Sequence, residues 1–185
     1  MNIQTRRTRL LGLPGSLRRN SHSRAVLRGL AATLQPATDL AILDLRLPLY
    51  DEDEDGPAAP DAVQAFRRAI GDSDGVVIAT PEYNYGVPGV LKNALDWASR
   101  PYGQSVLIGK PVLAISISPA FTGGVRAQAQ LNETLHAIEA MIVRGPQVVI
   151  GAIGAKVEDG HLVDEASLGF ARSAVDRLVA LCQSE

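Results

Sequence analysis

Short apolar runs alternate along this chain with longer stretches in which apolar residues return at helical spacing. Leu10-Leu11-Gly12-Leu13 predicts a first buried strand. Over residues 23–34, Val26, Leu27, Leu30, Ala31 and Leu34 share one helical face. Residues 40–45 predict a second strand, and residues 51–56 an acidic loop. Asp61 then opens a helix carrying Val63, Phe66 and Ile70. Gly75-Val76-Val77-Ile78-Ala79 is continuous and rich in β-branched residues, as in a strand covered on both faces. Pro88 starts a helix through Leu91, Leu95 and Ala98 that Pro101 ends. Residues 112–117 predict a fourth strand, residues 124–141 a helix, and residues 147–150 a fifth strand. Residues 165–181 predict a last helix with Leu168, Ala171, Val175, Leu178 and Val179 inward.

Five strands alternating with five helices predict an α/β fold: a parallel sheet between two helical layers. Five strands suit the flavodoxin-like order 2-1-3-4-5 better than a six-stranded dinucleotide fold. No Gly- or Pro-rich linker divides the chain, so residues 1–185 are expected to form one domain. In such sheets ligands bind beyond the carboxyl ends of the strands, near the reversal of strand order. The loops after strands one, three and four therefore carry the chemistry.

The first of these loops, residues 12–24, holds Gly15, Ser16, Arg18, Arg19, Ser21, His22, Ser23 and Arg24, and it runs straight into a helix. Free N–H groups at a helix start, serine hydroxyls and an arginine fork together make a phosphate site. The same residues also read as a capped helix, with Ser21 or Ser23 as N-cap and solvated arginines. The Gly-Lys-Ser/Thr of a Walker loop and the spacing G-x-G-x-x-G are both missing. The loop after strand three, residues 80–89, places Tyr83, Tyr85, Pro81, Pro88, Gly86 and Gly89 in ten residues. Stiff backbone beside aromatic surface suits the edge of a flat ligand, and a turn plus helix start is the alternative. Glu82 is not expected to act as an acid or base. Ser118 and Gly123-Gly124 mark the loop after strand four.

Gly15-Ser16-Leu17-Arg18 with Ser21, followed by the run from Pro81 through Glu82-Tyr83-Asn84-Tyr85-Gly86-Val87-Pro88-Gly89 to Trp97, resembles the NAD(P)H-dependent FMN reductase family. That family includes chromate and quinone reductases and some azoreductases, and the likeness spans nearly the whole chain. It implies that Ser16, Arg18, Ser21, His22 (mainly by its backbone) and Ser23 hold the FMN phosphate. It implies that Pro81, Glu82, Tyr83 and Asn84 line the isoalloxazine ring, with Tyr85 close by, and that Ser118 touches the flavin. The family often has asparagine where Ser23 stands, an aromatic residue at His22 and glycine at Ala120. The implied activity is ping-pong transfer of electron pairs from NADPH or NADH to quinones, flavins, azo compounds or chromate-like oxyanions. A homodimer or homotetramer is implied as well.

Composition narrows the field further. A net charge of −2 argues against broad attraction to nucleic acid. The single cysteine, Cys182, excludes an internal disulfide and multi-cysteine zinc sites. The five acids at 51–55 repel one another and read as a solvated loop rather than a cation site, and His136 in a helix and His161 in a turn have no second ligand at metal-site spacing. Arg6, Arg7 and Arg9 read as a solvated tail. The apolar run after them meets glycine and proline too early for an export signal, and no stretch reaches the roughly 18–20 apolar residues of a membrane span. A cytoplasmic protein is expected. Trp97 and Tyr102 either pack internally or support a dimer, and Arg126 and Gln128 either serve an interface or face water.

Overall fold

The computed structural model describes residues 6–34 and 36–184. Strands β1 (Thr8–Pro14), β3 (Gly75–Pro81) and β4 (Pro111–Ile117) form the centre of a parallel sheet, with β2 (Thr38–Ile42) outside β1. The fifth position is divided. β5 (Met141–Ile142) pairs with Pro111 and Val112, and β6 (Val148–Ile150) pairs with Ile115, Ser116 and Ile117. The order is thus the expected flavodoxin-like 2-1-3-4-5, with its last strand in two pieces. Gly145, at φ 128°, and Pro146 fall in the break. Proline has no N–H to give the ladder. The side chain of Gln128 serves there instead, Nε2 donating to the Ala114 carbonyl at 3.2 Å while Oε1 accepts from Ser116 Oγ at 2.9 Å. Gln128 is therefore a buried residue whose side chain bonds β4, and the choice between an interface and water is corrected.

Alternate residues of each central strand feed opposite cores. Leu10, Val77, Ala79 and Ile115 pack with α1 (His22–Leu34) and α5 (Glu165–Cys182). Leu11, Val76, Ile78 and Val112 pack with α2 (Asp61–Asp72), α3 (Gly89–Ala98) and α4 (Val125–Ala137). This two-sided burial is why the strands read as unbroken apolar runs.

Three expectations change. The helix expected over 124–141 stops at Ala137: Glu139 turns left-handed (φ 60°), and Met141 N donates to the Lys110 carbonyl at 2.9 Å to enter the sheet. Ile138, Ala140 and Met141 continue an apolar pattern, so no glycine marked that end. His161 lies not in a bare turn but in β8 (His161–Leu162), which pairs antiparallel with β7 (Val157–Glu158) around Asp159-Gly160, both at positive φ. Asp-Gly is the signature of that hairpin turn. The arginine tail is also docked: Arg6 pairs with Asp74, Arg7 pairs with Asp39 at 2.8 Å, and Arg9 belongs to β1. Residues 1–5, part of the export-signal reading, lie outside the described residues. Among the described residues no helix is long and apolar enough to cross a membrane.

The acidic loop is likewise partly tied down. Asp51 accepts from Asp53 N at 3.0 Å, and Asp55 pairs with Arg67 at 2.7 Å. Among the described residues no three His, Cys, Asp or Glu side chains gather as for a metal ion.

The hairpin leans on α1 at Gly29, where an added Cβ would lie 2.6 Å from the Leu162 carbonyl oxygen. Backbone cannot yield there as a side-chain tip can. Gly29→Ala should cost about 1–3 kcal/mol by overpacking. Urea unfolding checks this, and an unchanged midpoint would show that the hairpin shifts freely.

Candidate functional site

The chain leaves β1, β3 and β4 at one end of the sheet, and the three loops that follow converge. Gly15 donates its N–H to the Ala79 carbonyl at 2.8 Å, so the first loop lies directly against β3. The approach is close: a Cβ at Gly15 would stand 3.1 Å from Pro81 Cδ and 3.2 Å from that carbonyl, so its neighbours would have to give by a few tenths of an ångström. Ser16 Oγ accepts from Arg18 N at 3.3 Å and lies 3.3 Å from the Tyr83 hydroxyl, which ties the first loop to the second. Ser21 caps α1, its Oγ accepting from Arg24 N at 3.3 Å. Ser23 is therefore not the cap.

Ser16, Arg18, Ser21, His22 and Ser23 line a pocket with Pro81, Glu82 and Tyr83. Ile117, Pro119 and Ile153 complete it. The first loop by itself could not distinguish a capped helix from an anion site; the structure shows the cap and, beside it, a hydroxyl left unused by the fold. Ser21 does the capping, while Ser23, 1% exposed, has a buried Oγ with no hydrogen-bond partner among the described residues. A hydroxyl in that position costs free energy unless something binds it. Arg18 is exposed at the rim. Burial, and then the nearby Arg18 charge, push the His22 imidazole below its ordinary pKa, which favours the neutral ring.

The second loop is held rigidly. Tyr83 and Gly86 exchange N–H···O bonds of 3.1 and 3.0 Å. This forces Asn84 and Tyr85 into left-handed backbone, at φ 48° and 67°. Such conformations are uncommon for non-glycine residues and gather at functional sites. Contacts from α4 hold the loop in place. Gln130 Oε1 accepts from Val87 N at 2.6 Å, and the Arg126 guanidinium stacks 4.0 Å from the Tyr85 ring centre. Arg126 thus packs on an aromatic ring rather than simply facing water. Asn84, Tyr85 and Ser118 do not line the pocket. The first two sit at the exposed turn tip, and Ser118 Oγ accepts from Ala120 N at 3.1 Å in the third loop.

Glu82 has a specific task. Its Oε2 accepts from Arg126 N at 3.0 Å and Ala127 N at 3.1 Å. The residue preceding α4, Gly124, has no capping side chain, so Glu82 caps the helix from the loop after β3. Glu82→Ala should cost about 1 kcal/mol and loosen both loops. Glu82→Gln should recover most of this, because an amide oxygen accepts the same bonds. Paired chemical unfolding curves decide, and equal losses in both variants would contradict the cap.

Sequence reasoning missed Ile117, Pro119 and Ile153. Ile153 follows Ala152, a left-handed residue just beyond β6, and only the folded chain brings it to this pocket. A separate cavity of about 430 Å³ lies beside β5 and α5, lined by Met141, Val143, Arg177 and Leu181. It opens near the start of the parallel strands, where Met141 faces Pro111, so it is not the ligand position such sheets use.

Comparison with known proteins agrees with the fold and identifies relatives. Residues 8–154 match the family model described as NADPH-dependent FMN reductase. A quinone reductase of Pseudomonas putida is 38% identical over 167 residues, which cover 90% of each chain. A quinone reductase of Escherichia coli is 40% identical over 161 residues, covering 84% of this chain and 85% of that one. Among solved structures, a flavoenzyme NAD(P)H:(acceptor) oxidoreductase from Paracoccus denitrificans superposes with a TM-score of 0.80 at 33% identity. It covers 96% of this chain and 98% of its own.

Proposed function

The chain belongs to the NADPH-dependent FMN reductase family, and from that premise we propose a ping-pong reductase in which nicotinamide nucleotide and acceptor use one open face in turn. Its cofactor is FMN and its reductant NAD(P)H. The acceptors proposed are quinones, free flavins, azo compounds and chromate-like oxyanions. The two-electron redox chemistry would come from FMN when bound, and the residues of this chain would hold and orient it.

The observation that carries the proposal is the buried Ser23 hydroxyl, without a hydrogen-bond partner among the described residues, in a pocket lined by a helix start with an arginine at its rim. A phosphate group fits those donors. The pocket encloses about 80 Å³, enough for a phosphate and too little for a three-ring heterocycle. The residues are assigned accordingly. Ser16, Ser21 and Ser23 donate hydroxyls to the phosphate, Arg18 its guanidinium, and His22 the N–H at the first turn of α1. Pro81, Glu82, Tyr83 and Asn84 border the ring, with Tyr85 and Ser118 flanking it. Glu82 spends its carboxylate on α4, so it positions the loop and does not move a proton.

We assign residues 1–185 to one FMN-binding domain working in the cytoplasm as a homodimer or homotetramer. Purified protein should show a flavin absorbance band that anaerobic NADPH bleaches. Initial rates with a quinone should give parallel double-reciprocal lines. Protein that stays colourless when FMN is added, or a bound flavin that NADPH cannot bleach, sinks the proposal.

A further inference from the structure

A second cavity, of about 420 Å³, lies between the start of α1 and the β7–β8 hairpin. Ser21 and His22 line both it and the phosphate pocket, so the two adjoin. Arg19 enters it from the first loop and Arg28 from α1. Both are exposed, and neither forms a salt bridge among the described residues. His22, Ala25 and Arg28 are three apart and share one face of α1, with the small Ala25 as floor.

The facing wall is the hairpin turn. Gly160 packs close to the Arg28 guanidinium, where a Cβ would stand 3.2 Å from its Nη1. Asp159 supplies the one carboxylate. The position of this wall depends on Gly29, which lets Leu162 close against the helix.

The lining selects its ligand. Two guanidinium forks against a single carboxylate favour a phosphate monoester. The volume exceeds what one phosphate needs and lies within the roughly 300–1,000 Å³ of small-molecule sites. In dinucleotide sites an acid accepts ribose hydroxyls, while an arginine accommodates a 2′-phosphate. The cavity has both kinds of group beside a pocket already committed to a flavin phosphate.

We infer that this cavity receives the adenosine 2′-phosphate end of NADPH, gripped by Arg28 and Arg19, and so sets the preference for NADPH over NADH. The inference rests on the reductase reading. The pyrophosphate link holds the two halves of the dinucleotide apart, so one end rests here while the nicotinamide reaches the tyrosine-bearing loop.

The test uses FMN-loaded protein, wild type and Arg28→Ala, with Arg19→Ala/Arg28→Ala as a second variant. Calorimetric titration with adenosine 2′,5′-bisphosphate should give an affinity at least about tenfold above that of AMP in the wild type, as one charged hydrogen bond implies. That advantage should disappear in the variants. The ratio of kcat/KM for NADPH to that for NADH should fall by about tenfold or more. FMN titration of stripped protein should not change. Equal bisphosphate binding by wild type and variants, or an unmoved NADPH/NADH ratio, overturns the inference. So does weakened FMN binding in Arg28→Ala, which would assign the cavity to the flavin phosphate. Wild-type protein that takes up no FMN fails at an earlier step, and it overturns the reductase reading together with this inference.

Discussion

Ser23→Ala should make the flavin-free protein more stable while weakening its hold on FMN. The Ser23 hydroxyl is buried without a partner among the described residues, a situation that costs about 1–3 kcal/mol. Removing it relieves that cost in the flavin-free fold and removes one phosphate donor. The expected gain is about 1 kcal/mol in urea unfolding, with a loss of about tenfold in FMN affinity. Arg18→Glu should be far more severe for binding and neutral for folding, because Arg18 is exposed at the pocket rim. Losing a charged hydrogen bond costs about 1.5–3 kcal/mol, and like-charge repulsion adds to it. FMN dissociation constants should therefore rise about a hundredfold or more. Fluorescence titration of stripped protein measures both variants. If Ser23→Ala destabilised the protein and left FMN affinity intact, the hydroxyl would be structural and the phosphate assignment would fail.

Trp97→Ala should be the most damaging change to stability, at about 3–5 kcal/mol. Trp97 is fully buried, and its Nε1 donates to the Pro48 carbonyl at 2.9 Å. Tyr50 meets it edge-on, with ring centres 4.9 Å apart and planes at 77°. The Arg67 guanidinium lies 5.7 Å from its ring centre, while Arg67 Nε donates to the Trp97 carbonyl at 2.9 Å and Nη2 bonds Asp55. One ring thus pins the acidic loop, α2 and α3 together. Trp97→Phe keeps much of the volume and loses the N–H. Asn93 Nδ2 still satisfies the Pro48 carbonyl at 2.9 Å, so its cost should stay near 1–2 kcal/mol. Equilibrium urea unfolding orders the two. A loss below about 1.5 kcal/mol for the alanine variant would show that the site collapses to fill the space.

Burial has a period along the chain, so the sequence by itself determined most of the architecture. Val76-Val77-Ile78-Ala79 could be assigned to a central parallel strand because each residue faces one of two cores. The order 2-1-3-4-5 then located three loops; their serine, arginine and tyrosine content was compatible with a cofactor site, but only the family resemblance pointed to FMN. A turn at His161 was read from the sequence, but the two short strands that pair around Asp159-Gly160 were not.

The tertiary structure decided which distant groups satisfy one another. Nothing local to Glu82 indicates that it caps α4, 44 residues away. Nothing local to Gln128 indicates that it bonds a carbonyl beside the break in the fifth strand. Ser23 and Ser21 are equivalent as N-cap candidates until the helix start is placed. Arg28 and Gly160 meet only because Gly29 admits the hairpin. Hydrophobic periodicity records whether a side chain is buried and says nothing about its partner. Hydrogen bonds and charge pairs act over a few ångströms, and only the folded chain brings these residues that close.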